Sequence, residues 1–285
     1  MSLPFDIVPP LGYGPGSQPG DGEDGLRVMA MPSGMRVYEP HLPDIADRAA
    51  MDGALSTLEH IRDALAAWQP DQSLVIPIGH LDAANRALLS ETLGEGEVSI
   101  RVADADARIE IQEANCCGIW RIRNAATAQP ERERIEIAAF PRAALVRAFP
   151  RDWRIDLDAL ARPQPGIINA PALLTEIVHK SRAYQSGDLP HVINLTLLPH
   201  TYEDLALIEA GLGEGGVTVL SRGYGNCRID ATATRAVWRV RYFNSADTLI
   251  LDSFEICDVP EVACAAPEDI AESAARIADI LDAIS

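Results

Sequence analysis

Arg222, Tyr224 and Asn226 stand two residues apart in Ser221-Arg222-Gly223-Tyr224-Gly225-Asn226-Cys227. They offer a forked guanidinium, an aromatic face and an amide, and Tyr and Arg are among the residue types that dominate contact energetics between proteins. Gly223, Gly225 and Asn226 tolerate positive φ, as a tight connection between two strands demands. A phosphate cradle would need a helix directly after the glycines, so that its N–H groups face the anion. Here a strand-like run follows instead. The chemistry these residues support is recognition of another chain at an exposed turn, and the candidate partner-binding set is Arg222, Gly223, Tyr224, Gly225, Asn226 and Cys227.

Cys227 also invites a nucleophile reading, but a thiolate needs a neighbouring base or positive charge, and no spacing supplies one. Its small side chain reads first as a packing residue. The five cysteines, Cys116, Cys117, Cys227, Cys257 and Cys264, contain no C-x-x-C pair, which argues against a zinc site. Cys116-Cys117 reads as part of a strand. A cluster of Cys227, Cys257 and Cys264 holding iron–sulfur matches no known spacing, and so no metal or cofactor is expected. The six histidines are scattered and the carboxylates form no acid–base pair in a telling context. No catalytic residue is assigned, and the chain reads as a non-enzyme.

The elements that position the turn occur twice. Leu93-Gly94-Glu95-Gly96-Glu97-Val98-Ser99-Ile100 recurs as Leu212-Gly213-Glu214-Gly215-Gly216-Val217-Thr218-Val219, five of eight identical at an offset of 119. Farther on, Ile119-Trp120-Arg121-Ile122-Arg123 recurs as Val237-Trp238-Arg239-Val240-Arg241. A duplication means both copies obey one burial pattern. Differences between the copies then point to function, and the second copy reads as inserting its glycine-rich turn where the first has only Ala103-Asp104-Ala105-Asp106.

In each copy the periodicities predict helix, strand, helix, then four strands. The first has helices near 50–68 and 81–93 and strands at 74–78, 97–102, 107–113, 117–123 and 134–139. The second has helices near 171–186 and 202–212 and strands at 191–198, 216–221, 227–233, 236–243 and 248–256. A last helix over 267–284 begins with Pro267, suited to a helix N-terminus. The expected fold is α+β: two related repeats, each a mainly antiparallel sheet with helices on one face. Residues 1–45, rich in Pro and Gly, read as an extended arm; 46–150 is the first repeat, 151–168 a linker and 169–285 the second.

A net charge of −18 over 285 residues argues against nucleic acid as a partner, since phosphate binding needs a basic surface. No apolar run approaches the ~20 residues that span a bilayer, and Met1 to Asp6 lacks a secretory signal's basic start. A reducing cytoplasm is expected for the free thiols; self-association is left open.

The sequence resembles the HupH/HyaF/HoxQ family of hydrogenase expression proteins. The likeness runs through His191 to Pro199, Leu220 to Ile229, Tyr242-Phe243-Asn244-Ser245, Asp247 to Leu251 and Asp258 to Ala266. Gly14 to Gln18 and Met31 to Met35 also look like the family's N-terminal signatures. The resemblance implies an accessory chaperone in maturation of an uptake [NiFe]-hydrogenase. Its implied partners are the iron–sulfur small-subunit precursor, which bears a twin-arginine signal, and a thioredoxin-like hydrogenase accessory protein. It carries over no catalytic residue. The alternative is a cysteine-based redox or iron–sulfur-handling protein of the same pathway.

Overall fold

The computed structural model describes residues 49–104, 107–124, 133–157, 164–222 and 226–284. The arm at 1–45, the first copy's Ala105-Asp106, part of the linker and Gly223-Tyr224-Gly225 lie outside the described residues. Ten described strands form one sheet: β1 (Leu74–Pro77), β2 (Val98–Asp104), β3 (Ala107–Glu113), β4 (Ile119–Asn124), β5 (Arg134–Ile137), β6 (His191–Asn194), β7 (Glu214–Ser221), β8 (Asn226–Thr232), β9 (Val237–Phe243) and β10 (Leu249–Ile256). Their order is β1-β5-β4-β3-β2-β7-β8-β9-β10-β6, and every neighbouring pair is antiparallel. The α-helices are α1 (Asp52–Ala67), α2 (Ala83–Leu93), α3 (Arg142–Ala148), α4 (Ala170–Ala183), α5 (Tyr202–Leu212) and α6 (Pro267–Ile284).

The two repeats meet edge to edge through β2 and β7. Ile100 lies opposite Val219, its own equivalent at the offset of 119. Val98 faces Ser221 and Val102 faces Val217, so each flanking pair is the other with its members exchanged. A local twofold therefore passes through the Ile100–Val219 pair, normal to the sheet. Trp120 and Trp238 are each the second residue of their strand, opposite Glu136 and Glu255, and both rings are fully buried. The ladder also removes the apparent insertion in the second copy. Val102 pairs with Ile109 and Ser221 with Cys227, leaving Ala103 to Arg108 in one copy against the shorter Arg222 to Asn226 in the other. The first hairpin continues its ladder to Asp104–Ala107, whereas the second opens after Ser221–Cys227.

Strict alternation assigns each strand residue to one of two faces. On the front face, Val98, Ile100, Ile111, Trp120, Val219, Ile229, Trp238 and Val240 form a single apolar layer across both repeats. Phe140 bridges the twin tryptophans edge-on, at 6.2 Å from Trp120 and 6.4 Å from Trp238, an arrangement aromatic rings favour. On the back face α1, α2 and α6 cover Ile119, Ile135 and Ile137 at one end. At the other end α4 and α5 cover Val237, Phe254 and Ile256. The helices thus share one face, with α3 the exception. Its Ala143, Ala144 and Ala148 join the front layer, and the buried Glu136 carboxylate accepts the first N–H groups, from Arg142 at 2.5 Å and Ala143 at 3.4 Å. The last helix belongs to the second repeat by sequence order, yet it packs on α1 of the first.

Two local expectations are corrected. The strand read over 191–198 stops at Asn194, and Leu195–Leu197 turns into a 3-10 helix because Thr196 Oγ1 takes the Asp252 N–H at 2.9 Å. Cys116 and Cys117 lie in the turn before β4, where Gly118 takes a φ of 80°.

Close backbone approach explains one conserved feature of the duplication, the twin glycines Gly96 and Gly215. A Cβ on Gly215 would lie 2.5 Å from the carbonyl oxygens of both Ala148 and Thr232. Gly215→Ala is expected to destabilise the fold by about 2 kcal/mol, since backbone must shift to admit the methyl. Urea unfolding reads this, and a midpoint equal to that of the unmodified protein would show that the strand yields freely.

Candidate functional site

β7 and β8 hold the candidate recognition turn at one end of the sheet. Arg222 is exposed, and its backbone N–H donates to the Glu97 carbonyl at 3.2 Å, extending the central ladder by one rung. Asn226 is exposed as well, with Nδ2 donating to Asp247 Oδ1 at 3.3 Å. Its register partner is Phe243, which in turn pairs with Leu249. The exposed side chains of Leu249 and Ile250 therefore lie at the same end of the sheet as Asn226. Gly223, Tyr224 and Gly225, the centre of the set, lie outside the described residues. Cys227 separates from it: only 4% exposed, it belongs to the front-face core.

Burial pushes the Cys227 thiol up to about 11, against a lowering hydrogen bond with Tyr242. It also pushes Cys257 and Cys264 to about 12 and Cys117 to about 11. Such thiols stay protonated at neutral pH and are poor nucleophiles. The His191 ring is bonded to Glu176 at 2.9 Å. Among the described residues no three His, Cys, Asp or Glu side chains converge as a ligand set.

A polar array that sequence reasoning missed occupies the back face between the two helix groups. In the second copy Arg239 grips Asp252 with both ends of its fork, Nε to Oδ1 at 2.9 Å and Nη2 to Oδ2 at 2.7 Å. Its Nη1 donates to Glu209, and the guanidinium lies 5.8 Å over the Phe254 ring. Burial opposes the charge on Arg239, but Asp252 and Glu209 outweigh it and raise its pKa. Burial would likewise raise the Asp230 carboxyl, yet hydrogen bonds from Arg228, Arg241 and Thr218 hold it below its usual value. In the first copy Arg121 and Arg123 stand at the positions of Arg239 and Arg241. Arg123 pairs with Glu110 at 2.8 Å, whereas Arg121 donates to the hydroxyl of Ser90 at 2.6 Å. The signal was present in the repeated Trp-Arg-x-Arg, whose arginines read only as the polar half of an alternation.

The sequence profile described as "HupH hydrogenase expression protein, C-terminal conserved region" matches residues 51–161 and again 167–284. This chain belongs to the HupH family. One family region thus fits each half, in keeping with the local twofold of the sheet. "Hydrogenase expression/formation protein HupH" of Rhodobacter capsulatus is 48% identical over 277 residues, covering 97% of this chain and 98% of the relative. "Hydrogenase expression/formation protein HoxQ" of Cupriavidus necator is 42% identical over 278 residues, 96% of each chain. A solved structure of the hydrogenase expression protein HupH from Thiobacillus denitrificans is 32% identical, with a TM-score of 0.36. The match covers 41% of this chain and 95% of that one. No described helix is long and apolar enough to cross a membrane.

Proposed function

We propose that this HupH-family protein serves hydrogenase maturation as a binding protein, holding the iron–sulfur small-subunit precursor of an uptake [NiFe]-hydrogenase before export. The names of the relatives support the pathway. The sheet end supports the mode of action: exposed Arg222 and Asn226 flank Tyr224, with exposed Leu249 and Ile250 two strands away. Arginine and tyrosine together with apolar side chains are the composition of an interface centre. The work is binding and not chemistry, in the cytoplasm, and the thioredoxin-like accessory protein is a second partner.

Co-purification with a tagged small-subunit precursor tests the reading. Tyr224→Ala is expected to weaken that complex about thirtyfold, since loss of an interface centre commonly removes ~2 kcal/mol or more and 1.4 kcal/mol is tenfold. Its thermal midpoint should stay unchanged. A variant that binds with full affinity would remove this turn from the interface. Failure of the precursor to co-purify at all would remove the precursor as partner.

A further inference from the structure

The local twofold allows the two halves of the back face to be compared residue by residue. In register, Arg121 corresponds to Arg239, Gln112 to Asp230 and Glu110 to Arg228. The offset of 119 relates Ser90 to Glu209 on the paired helices α2 and α5, Arg101 to Leu220, and Glu133 to Asp252. The scaffold is the same and Glu133 keeps the acidic character of Asp252, but the neutral Ser90 and Gln112 stand where the second copy has Glu209 and Asp230. A guanidinium carries five N–H donors. Arg239 directs all three of its nitrogens at carboxylates, whereas the one bond of Arg121 among the described residues goes to the neutral Ser90 hydroxyl.

Arg121 is half-buried, and burial lowers its pKa, with Glu133 and Glu95 countering only by longer-range attraction. A partly desolvated cation with no carboxylate in hydrogen-bond contact among the described residues is an unfavourable arrangement unless something completes it. Beside it opens a pocket of about 360 Å³ whose lining includes Ser90, Ser99, Arg101 and Gln112. Arg101 is exposed and is free of ion pairs among the described residues. Three carboxylates, Glu95, Glu110 and Glu133, also line the pocket, and Glu110 is held by Arg123.

We propose that this first-copy pocket binds a carboxylate, which takes on Arg121, with Arg101 beside it, the place that the Glu209 side chain fills on Arg239 in the second copy. The protein's own second half supplies the pattern of the ligand. Planar, bidentate geometry suits carboxylate to arginine, and the lining carboxylates repel a dianionic phosphate more than a singly charged group. The carboxylate belongs either to a small free acid or to an acidic side chain of a partner polypeptide; the chemistry at Arg121 is the same.

The test uses the full chain and calorimetric titration at constant ionic strength. Butyrate, a monoanion, is the free-acid probe, a capped Gly-Glu-Gly peptide the side-chain probe and inorganic phosphate the competitor. Ser90→Glu should fill the site from within and reduce carboxylate affinity at least tenfold, while Ser90→Ala, which leaves the site open, should retain it. Arg121→Gln should match Ser90→Glu; if it folds poorly, the two Ser90 variants decide alone. Tighter binding of butyrate assigns a free acid, and tighter binding of the peptide assigns a partner's side chain. Failure of both carboxylates to bind, tighter binding of phosphate, or indifference to Ser90→Glu would each overturn the proposal.

Discussion

Ile277→Asp in the C-terminal helix is expected to destabilise the first repeat, although 277 lies in the second by sequence. Ile277 is fully buried and shares a core with Leu58, Ile61 and Leu65 of α1 and with Ile119 and Ile135 of the sheet. A carboxylate placed there loses its hydration and finds no partner, which costs about 4 kcal/mol or more. Against a typical total of ~5–15 kcal/mol, that is a large fraction. The apolar front layer is continuous across both halves, and Phe140 touches both twin tryptophans. The protein should therefore unfold in one transition, with tryptophan fluorescence and circular dichroism losing signal together at a midpoint lowered by roughly 10 °C. Asp279→Asn, on the exposed side of the same helix, should leave the midpoint within about 1 °C. Two resolved transitions in Ile277→Asp would show instead that the halves are stable independently.

Elements that announce themselves by long periodicity were legible in the sequence. The stripe of Leu55, Leu58, Ile61 and Leu65 marks α1, and the α6 boundaries agree at both ends. The duplication made the sheet legible too, because Trp120 and Trp238 had to occupy equivalent rungs. What escaped has physical reasons. Helix α3 has only seven residues, and its helical start depends on the Glu136 carboxylate, which comes from a strand. The continuation of β6 depended on a hydroxyl, Thr196, competing for the Asp252 N–H. The edge-to-edge union of β2 and β7 is a contact between repeats, and a pattern repeated within each copy carries no information about it. The candidate turn was read from composition alone, and its centre, Gly223 to Gly225, lies outside the described residues. The Arg239 array was not, because Glu209 and Asp252 reach it from a helix and a strand far apart in sequence.

The second large effect should come from Asp204, a residue that composition alone files under solvated carboxylates. Asp204 is 0% exposed. Its Oδ1 accepts the N–H groups of Ile168, Asn169 and Ala170 at 2.8, 2.9 and 2.9 Å, and Oδ2 accepts that of Thr201 at 3.1 Å. One carboxylate thus anchors the entry to α4 and closes the capping box of α5 with Thr201. Burial pushes its pKa up, but these four backbone donors win and hold it at about 2, below the ~3.9 of an unfolded aspartate. A folded-state value that is depressed contributes stability above the unfolded pKa and loses it as pH falls through the folded one. The unmodified protein should therefore lose this contribution between about pH 4 and pH 2. Asp204→Ala leaves the donors without an acceptor and should destabilise by about 4 kcal/mol at pH 7, given ~1.5–3 kcal/mol for each charged hydrogen bond and incomplete additivity. Asp204→Asn keeps one carbonyl oxygen and should lose only about half as much. The first copy supports that ranking, because Asn85 at the equivalent position accepts the Ala54 N–H at 2.7 Å with a neutral amide. In acid the difference between Asp204→Asn and the unmodified protein should shrink, since protonation removes from Asp204 the charge that asparagine never had. Denaturant midpoints at pH 7, 4 and 2.5 measure this, and a gap that stays constant over that range would show that the charge contributes nothing to the anchor.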